Sequence, residues 1–173
     1  MSKDEERRLR ESLKACDTAF LEVIVLLAIN TGMRKGELLS LQWHDINFDN
    51  KILTVDFQNA KSGNTRHLPL NIKAFNELIQ WQKLSGNEGY VFKDRNNQPL
   101  KDFPSLWGVI LDEANIADFR FHDLRHHFAS KLVMASVDLN TVRELLGHSD
   151  LKMTLRYAHL APEHKAAAVN LIC

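Results

Sequence analysis

The segment Phe121-His122-Asp123-Leu124-Arg125-His126-His127-Phe128 places a permanent cation three residues after a titratable imidazole. On a helix, Leu124, Phe128 and Leu132 share the face that would be buried, and His122 and Arg125 can point to one side near its start. A helix N-terminus favours negative charge, so the arrangement reads as an anion site suited to phosphate. The alternative reading pairs Arg125 with a carboxylate and leaves the histidines exposed. A metal site is a third reading, because His122 and His126 stand at i, i+4 spacing in a chain with 8 histidines. It is disfavoured: no Glu stands where a His-Glu-x-x-His zinc site requires one, and no cysteine is near.

The elements that must position these residues are mostly helical. Ser2-x-x-Glu5 has the form of a capping box and predicts an opening helix. Asp17 is the expected cap of a second helix running to about residue 30. Gly32 suits the left-handed turn at its end, and a short helix over 35–41 follows. Stretches 44–48, 52–57 and 65–69 have strand character and are separated by Asp49-Asn50 and Lys61-Ser62-Gly63-Asn64, which predicts a small three-stranded antiparallel sheet. Helical spacing resumes at Asn71 and ends at Ser85-Gly86-Asn87. An irregular stretch with a short strand at Tyr90-Val91-Phe92 comes next. Helices are expected over 103–115, 123–135, 140–146 and 150–158. Trp43, Trp81 and Trp107 are scattered, as core or edge residues would be. No repeat or linker divides the 173 residues, a length suited to one domain. The expected fold class is α+β, mostly α-helical, in a single domain.

Composition sets the broad class. With 45% hydrophobic and 25% charged residues, the chain has the make-up of a folded globular domain. The longest apolar run, 20–29, contains Glu22 and is shorter than the ~20 residues of a membrane span. The first residues carry no apolar signal segment. Cys16 and Cys173 form neither a metal spacing nor a disulfide framework, so a reducing, cytoplasmic location is expected. The charge balance, 22 Lys+Arg against 22 Asp+Glu, argues against a strong grip on nucleic acid by this chain alone, since phosphate binding depends on a local excess of cations.

Further along stand Leu145-Leu146-Gly147-His148 and Thr154-Leu155-Arg156-Tyr157-Ala158-His159. His-x-x-Arg, then Leu-Gly-His, then a tyrosine nine residues beyond that histidine resembles the tyrosine recombinase and phage integrase family. Upstream, Thr31-Gly32-Met33-Arg34-Lys35-Gly36-Glu37-Leu38 resembles the family's first arginine motif, and Lys61 its β-hairpin lysine.

The resemblance implies a site-specific DNA recombinase acting through a 3′-phosphotyrosyl intermediate. Arg34 and Arg125 would clamp the phosphate oxygens, a task for which a permanently charged planar fork is suited. Tyr157 would attack phosphorus, and His148 would donate a hydrogen bond to the phosphate. An unperturbed phenol ionises near ~10, so Tyr157 needs help; His122 is the candidate base for its proton. Lys61 would protonate the departing 5′ oxygen. Neither metal nor cofactor is implied. Glu37 is read as a buttress for Arg34, His126 as a residue that orients or packs beneath the site, and Arg66 as a competitor for the role of Lys61. His127 departs from the threonine of the family pattern.

The implied partners are double-stranded DNA and further copies of the chain, a tetramer on recombining DNA. The resemblance covers the catalytic half of a typical member, so residues 1–173 are expected to be a catalytic domain without the N-terminal DNA-binding domains. Residues 158–173 resemble a tail that docks on a neighbouring protomer, and the full site is expected to form only with DNA and neighbours. Two alternatives remain at this point: DNA relaxation of the type IB topoisomerase kind, and a non-catalytic DNA-binding module.

Overall fold

A computed structural model of the chain describes residues 1–56, 65–162 and 169–170. Helix α1 (Lys3–Ala15) begins at the expected capping box, with Ser2 Oγ accepting from the Glu5 amide at 3.1 Å and Glu5 Oε2 accepting from the Ser2 amide at 2.6 Å. These bonds satisfy donors that a first turn otherwise leaves orphaned. Leu9 and Leu13 are its buried residues, so α1 lies on the outside of the core.

Helix α2 (Ala19–Thr31) is apolar on nearly every side because α1, α4 and α6 pack around it. Thr18 precedes it and no side-chain cap bond forms at its start, so the expected Asp17 cap is absent. Burial holds this helix in place of capping. It ends at Gly32, whose φ of 65° is the left-handed turn anticipated there.

Helix α3 (Lys35–Leu39) leads through a 3₁₀ turn, Trp43–Asp45, into the sheet. Strands β1 (Ile46–Asn47), β2 (Ile52–Val55) and β3 (Arg66–Pro69) form an antiparallel sheet in the order β1-β2-β3. Leu53 lies opposite Leu68, and Val55 opposite Arg66. The first strand is shorter than expected: Asp45 Oδ2 accepts from the Gln42 amide at 2.9 Å and holds His44 in the turn. The expected strand at Tyr90-Val91-Phe92 is a single bridge, Gln42 to Tyr90. Phe57 and the Lys61-Ser62-Gly63-Asn64 turn lie outside the described residues.

The described residues continue through α4 (Ile72–Ser85), α5 (Pro104–Glu113), α6 (Asp123–Met134), α7 (Leu139–Leu146) and the short α8 (Lys152–Leu155). The helix expected over 150–158 is cut short; Tyr157 follows α8 and a 3₁₀ turn, Ala158–Leu160, follows Tyr157. In this segment Thr154 and Tyr157 are buried while Leu151, Met153 and Leu155 are exposed, so no apolar stripe sustains a longer helix. Of the expected tail, residues 163–168 and 171–173 lie outside the described residues.

Two apolar clusters form among the described residues. The larger surrounds α2 and includes Trp43 and Trp107. The smaller lies between α6 and α7 and joins Ala129, Val133, Val142 and Leu146 to the ring of Tyr157. Trp81 packs against the larger cluster and donates Nε1 to the Val91 carbonyl at 2.8 Å. No described helix is long and apolar enough to cross a membrane.

Candidate active site

Arg34, His122, Arg125, His126, His148, Lys152, Met153, Arg156 and Tyr157 line one open cavity of about 500 Å³. Four of these are arginine or lysine and none is acidic, although the whole chain has zero net charge. The fold supplies the local cation excess that composition concealed.

Arg125 is held from behind by the ends of two helices. Its Nη1 donates to the Gly32 carbonyl at 2.8 Å and its Nη2 to the Leu146 carbonyl at 2.5 Å. Helix C-termini expose unpaired carbonyls and carry partial negative charge, which suits a guanidinium. Among the described residues no carboxylate pairs with Arg125, which removes the carboxylate-pair reading. Burial, then repulsion from Arg34, pushes its ionisation down to about 9. An anion in the cavity would relieve that strain.

Arg34 leads into α3. Its amide donates to Glu37 Oε2 at 2.8 Å, its Nη1 to Glu37 Oε1 at 2.8 Å, and its Nη2 to the Gly147 carbonyl at 3.3 Å. Glu37 is therefore the buttress that the sequence suggests. Its second partner is Arg66, with Nη1 at 3.0 Å from Oε1 and Nη2 at 2.6 Å from Oε2. Burial raises the Glu37 carboxyl, but these hydrogen bonds and charges outweigh it and hold the group below its ordinary value. Arg66 is thus occupied as a support under the site. Lys61 lies outside the described residues.

The start of α6 does not act as the sequence suggests. The amides of Asp123, Leu124 and Arg125 are already bonded to the carbonyls of Arg120, Phe121 and His122. Positive potential in the cavity comes from side chains and not from free amides at a helix start.

His148 follows Gly147 as the chain leaves α7, and its Nδ1 lies 2.9 Å from the Oγ1 of fully buried Thr154. Burial, then the charges of Arg125 and Arg34, lowers this imidazole to about 4, so it is neutral at pH 7. Neutral His148 can still donate through one ring nitrogen.

Tyr157 is 5% exposed, with its ring in the smaller core and its hydroxyl 2.5 Å from His126 Nδ1. Burial raises its ionisation, while Arg156 and Arg125 oppose the rise. Against the expectation that the full site forms only with DNA and neighbours, one chain already places Tyr157 in one cavity with Arg34, Arg125 and His148. Its packing against Val133, Val142 and Leu146 supplies the reason.

Sequence reasoning missed the contact between His126 and the Tyr157 hydroxyl, the support of His148 by Thr154, and the cavity positions of Lys152 and Arg156. Lys152 and Arg156 stand four residues apart just before Tyr157, a signal available in the sequence.

The pattern of the phage integrase family matches residues 1–164. The chain belongs to the phage integrase family. Among its relatives is the integrase of Salmonella phage P22, 34% identical over 158 residues, which cover 83% of this chain and 40% of that protein. Its fold is that of the catalytic domain of bacteriophage HP1 integrase, with a TM-score of 0.77 and 27% identity over 98% of this chain and 92% of that one. The Tn1549 transposon integrase, solved in complex with a circular intermediate DNA, also shares the fold: TM-score 0.83, 19% identity, 100% of this chain and 65% of that one. This integrase-family chain spans between 40% and 53% of the length of the curated relatives it matches first.

Proposed function

We propose that residues 1–173 form the catalytic domain of a site-specific DNA recombinase that cleaves and rejoins strands through a 3′-phosphotyrosyl intermediate. The observation that carries this reading is the meeting of Tyr157 with Arg34, Arg125 and His148 in one positively charged cavity. Family membership supports it, as does the DNA in the solved complex of a protein with the same fold.

The chemistry follows from charge. A phosphodiester repels nucleophiles, and its transition state gathers further negative charge on the non-bridging oxygens. Arg34 and Arg125 are braced by carbonyls and by Glu37, so they meet that charge without having to reorganise. His148, neutral and fixed by Thr154, donates a hydrogen bond to the same oxygens. Tyr157 Oη gives up its proton to a neighbouring imidazole and forms the bond to phosphorus as the bond to the 5′ oxygen breaks. Lys61 protonates the departing oxygen. Because the phosphotyrosine retains the energy of the phosphodiester, a 5′-hydroxyl from another strand can reverse the attack without ATP.

The expected partners are double-stranded DNA in the cytoplasm and three further copies of the protein on recombining sites. A DNA-binding domain elsewhere in the protein supplies the remaining grip. A nicked suicide duplex that loses its 5′-hydroxyl fragment after cleavage tests the reading. The full-length protein should form an adduct that survives denaturing electrophoresis, and Tyr157→Phe should not. Persistence of the adduct in that variant would overturn the assignment.

A further inference from the structure

We propose that His126 Nδ1 is the base that takes the proton from the Tyr157 hydroxyl as attack begins, leaving His122 to serve the phosphate side of the cavity. The proposal rests on the reading of Tyr157 as the nucleophile.

The geometry assigns the contact. His126 Nδ1 lies 2.5 Å from Tyr157 Oη. His122 forms no hydrogen bond with Tyr157 among the described residues; it stands one helical turn away, edge-on to His126, with ring centroids 5.0 Å apart and planes at 90°. A base must reach its proton before its basicity matters, and His126 alone of the two does so. With the phenol donating, the ring carries its own hydrogen on Nε2 and presents a lone pair at Nδ1.

The surroundings keep that lone pair free. Burial, followed by the charges of Arg156 and His122, holds the imidazole below its ordinary value; Asp123 pulls the other way and Arg125 adds to the lowering. His126 also lines a second cavity, of about 690 Å³, whose other titratable groups are the Met1 amino group, Lys3, Glu6, Asp118, Arg120, Asp123, His127 and Lys131. Asp123 is the carboxylate that favours the imidazolium created by proton transfer.

In the step itself, the O–H bond of Tyr157 breaks and its proton moves to Nδ1 while the bond from Oη to phosphorus forms. The bond from phosphorus to the 5′ oxygen breaks, and that oxygen is protonated from the general-acid side. When a 5′-hydroxyl attacks the phosphotyrosine, its proton returns to the group that acted as general acid, the bond from phosphorus to Oη breaks, and the imidazolium returns its proton to the departing phenolate. No proton or electron is left over.

The test is single-turnover adduct formation by the full-length protein on nicked suicide duplexes that tile the DNA flanking its gene, measured from pH 5.5 to 9.5. Wild type must form the adduct and Tyr157→Phe must not. Absence of the wild-type adduct on every duplex would overturn the recombinase reading and this proposal with it. Given that adduct, His126→Ala should slow it by about 10²- to 10⁴-fold, and added imidazole should restore part of the rate. His126→Asn keeps an acceptor near the place of Nδ1 but cannot hold the proton, so it should be equally slow. Its rate should climb with pH where wild type has levelled off. His122→Ala should slow the reaction while preserving the wild-type shape of the pH profile. A His126→Asn protein with wild-type rate, or one slowed at every pH by the same factor without rescue of His126→Ala by imidazole, would overturn the proposal.

Discussion

Arg66 and Glu37 are joined by two hydrogen bonds, of 3.0 and 2.6 Å, in a region where the Arg66 side chain is 8% exposed and that of Glu37 1%. The same carboxylate holds Arg34, so a strand residue and a helix residue together fix a guanidinium that faces the cavity. Removing Arg66 leaves buried Glu37 with Arg34 as its one remaining guanidinium partner among the described residues, at a cost of up to about 3–5 kcal/mol. Arg66→Met should lower urea-unfolding stability by this order and reduce adduct formation through Arg34. Loss of under about 1 kcal/mol would show that the pair is not a structural keystone.

An anion should stabilise the fold through its cavity. Four cationic side chains line that cavity and, among the described residues, no acidic one does, and Arg125 is already pushed down to about 9. Binding to the folded state alone adds about 1.4 kcal/mol at tenfold excess over Kd, or about 3–5 °C in Tm. Inorganic sulfate, at constant ionic strength, should produce that rise. Sulfate also stabilises proteins generally, so the decisive quantity is the difference from Arg125→Gln, which should lose most of the increment.

His148 predicts a pH window. Its folded value is about 4, below the unfolded value of ~6.5, so the unfolded chain binds the proton first. Stability from this group is therefore complete above pH ~6.5, declines as pH falls, and levels off near pH 4, a change of up to about 3 kcal/mol. Glu37, whose folded value is depressed, acts in the same direction but at lower pH, as the solution falls through the carboxylate range. Urea titrations of wild type and His148→Gln between pH 4 and 8 should diverge on this slope. Parallel curves would refute it.

Thr154→Val removes the hydroxyl that holds His148 while keeping shape in a fully buried position. Leaving the imidazole nitrogen unsatisfied should cost about 1–3 kcal/mol of stability. A comparable loss in the transition state, at ~1.36 kcal/mol per tenfold, should slow adduct formation about tenfold or more. An adduct rate equal to wild type would show that His148 needs no such support.

Lys152 and Arg156 also line the cavity. If each meets a phosphate, its removal lowers the slope of log K against log salt by about 0.9 and weakens binding to all DNA sequences alike. Filter binding of Lys152→Ala and Arg156→Ala across 50–200 mM salt would measure this. An unchanged slope would place both side chains off the DNA.

Gly147 has φ of 64°, and an added Cβ would stand 2.9 Å from Arg66 Cδ. Gly147→Ala should therefore combine backbone strain with displacement of Arg66, at a cost above about 1 kcal/mol. Chemical denaturation would measure it, and a double mutant with Arg66→Met should be less than additive because both act on one contact.

Much of this protein was legible in residue order, because local physics determines it. The capping box at Ser2 and Glu5, the left-handed stop at Gly32, and the antiparallel pairing of the stretches around Leu53 and Leu68 depend on neighbours in sequence or on period-two burial. The spacing of His122 and Arg125 suggested a phosphate site, and resemblance to the phage integrase family added Arg34, Lys61, His148 and Tyr157. What only the tertiary structure decided are relationships across long stretches of chain. These include the carbonyls of Gly32 and Leu146 behind Arg125, and Arg66 turned inward to Glu37. His126 at the Tyr157 hydroxyl, 31 residues away in sequence, is the third. Such contacts depend on how α2, α6 and α7 pack, and the total charge of zero gave no sign of them, because charge acts at phosphate through local position and not through the sum.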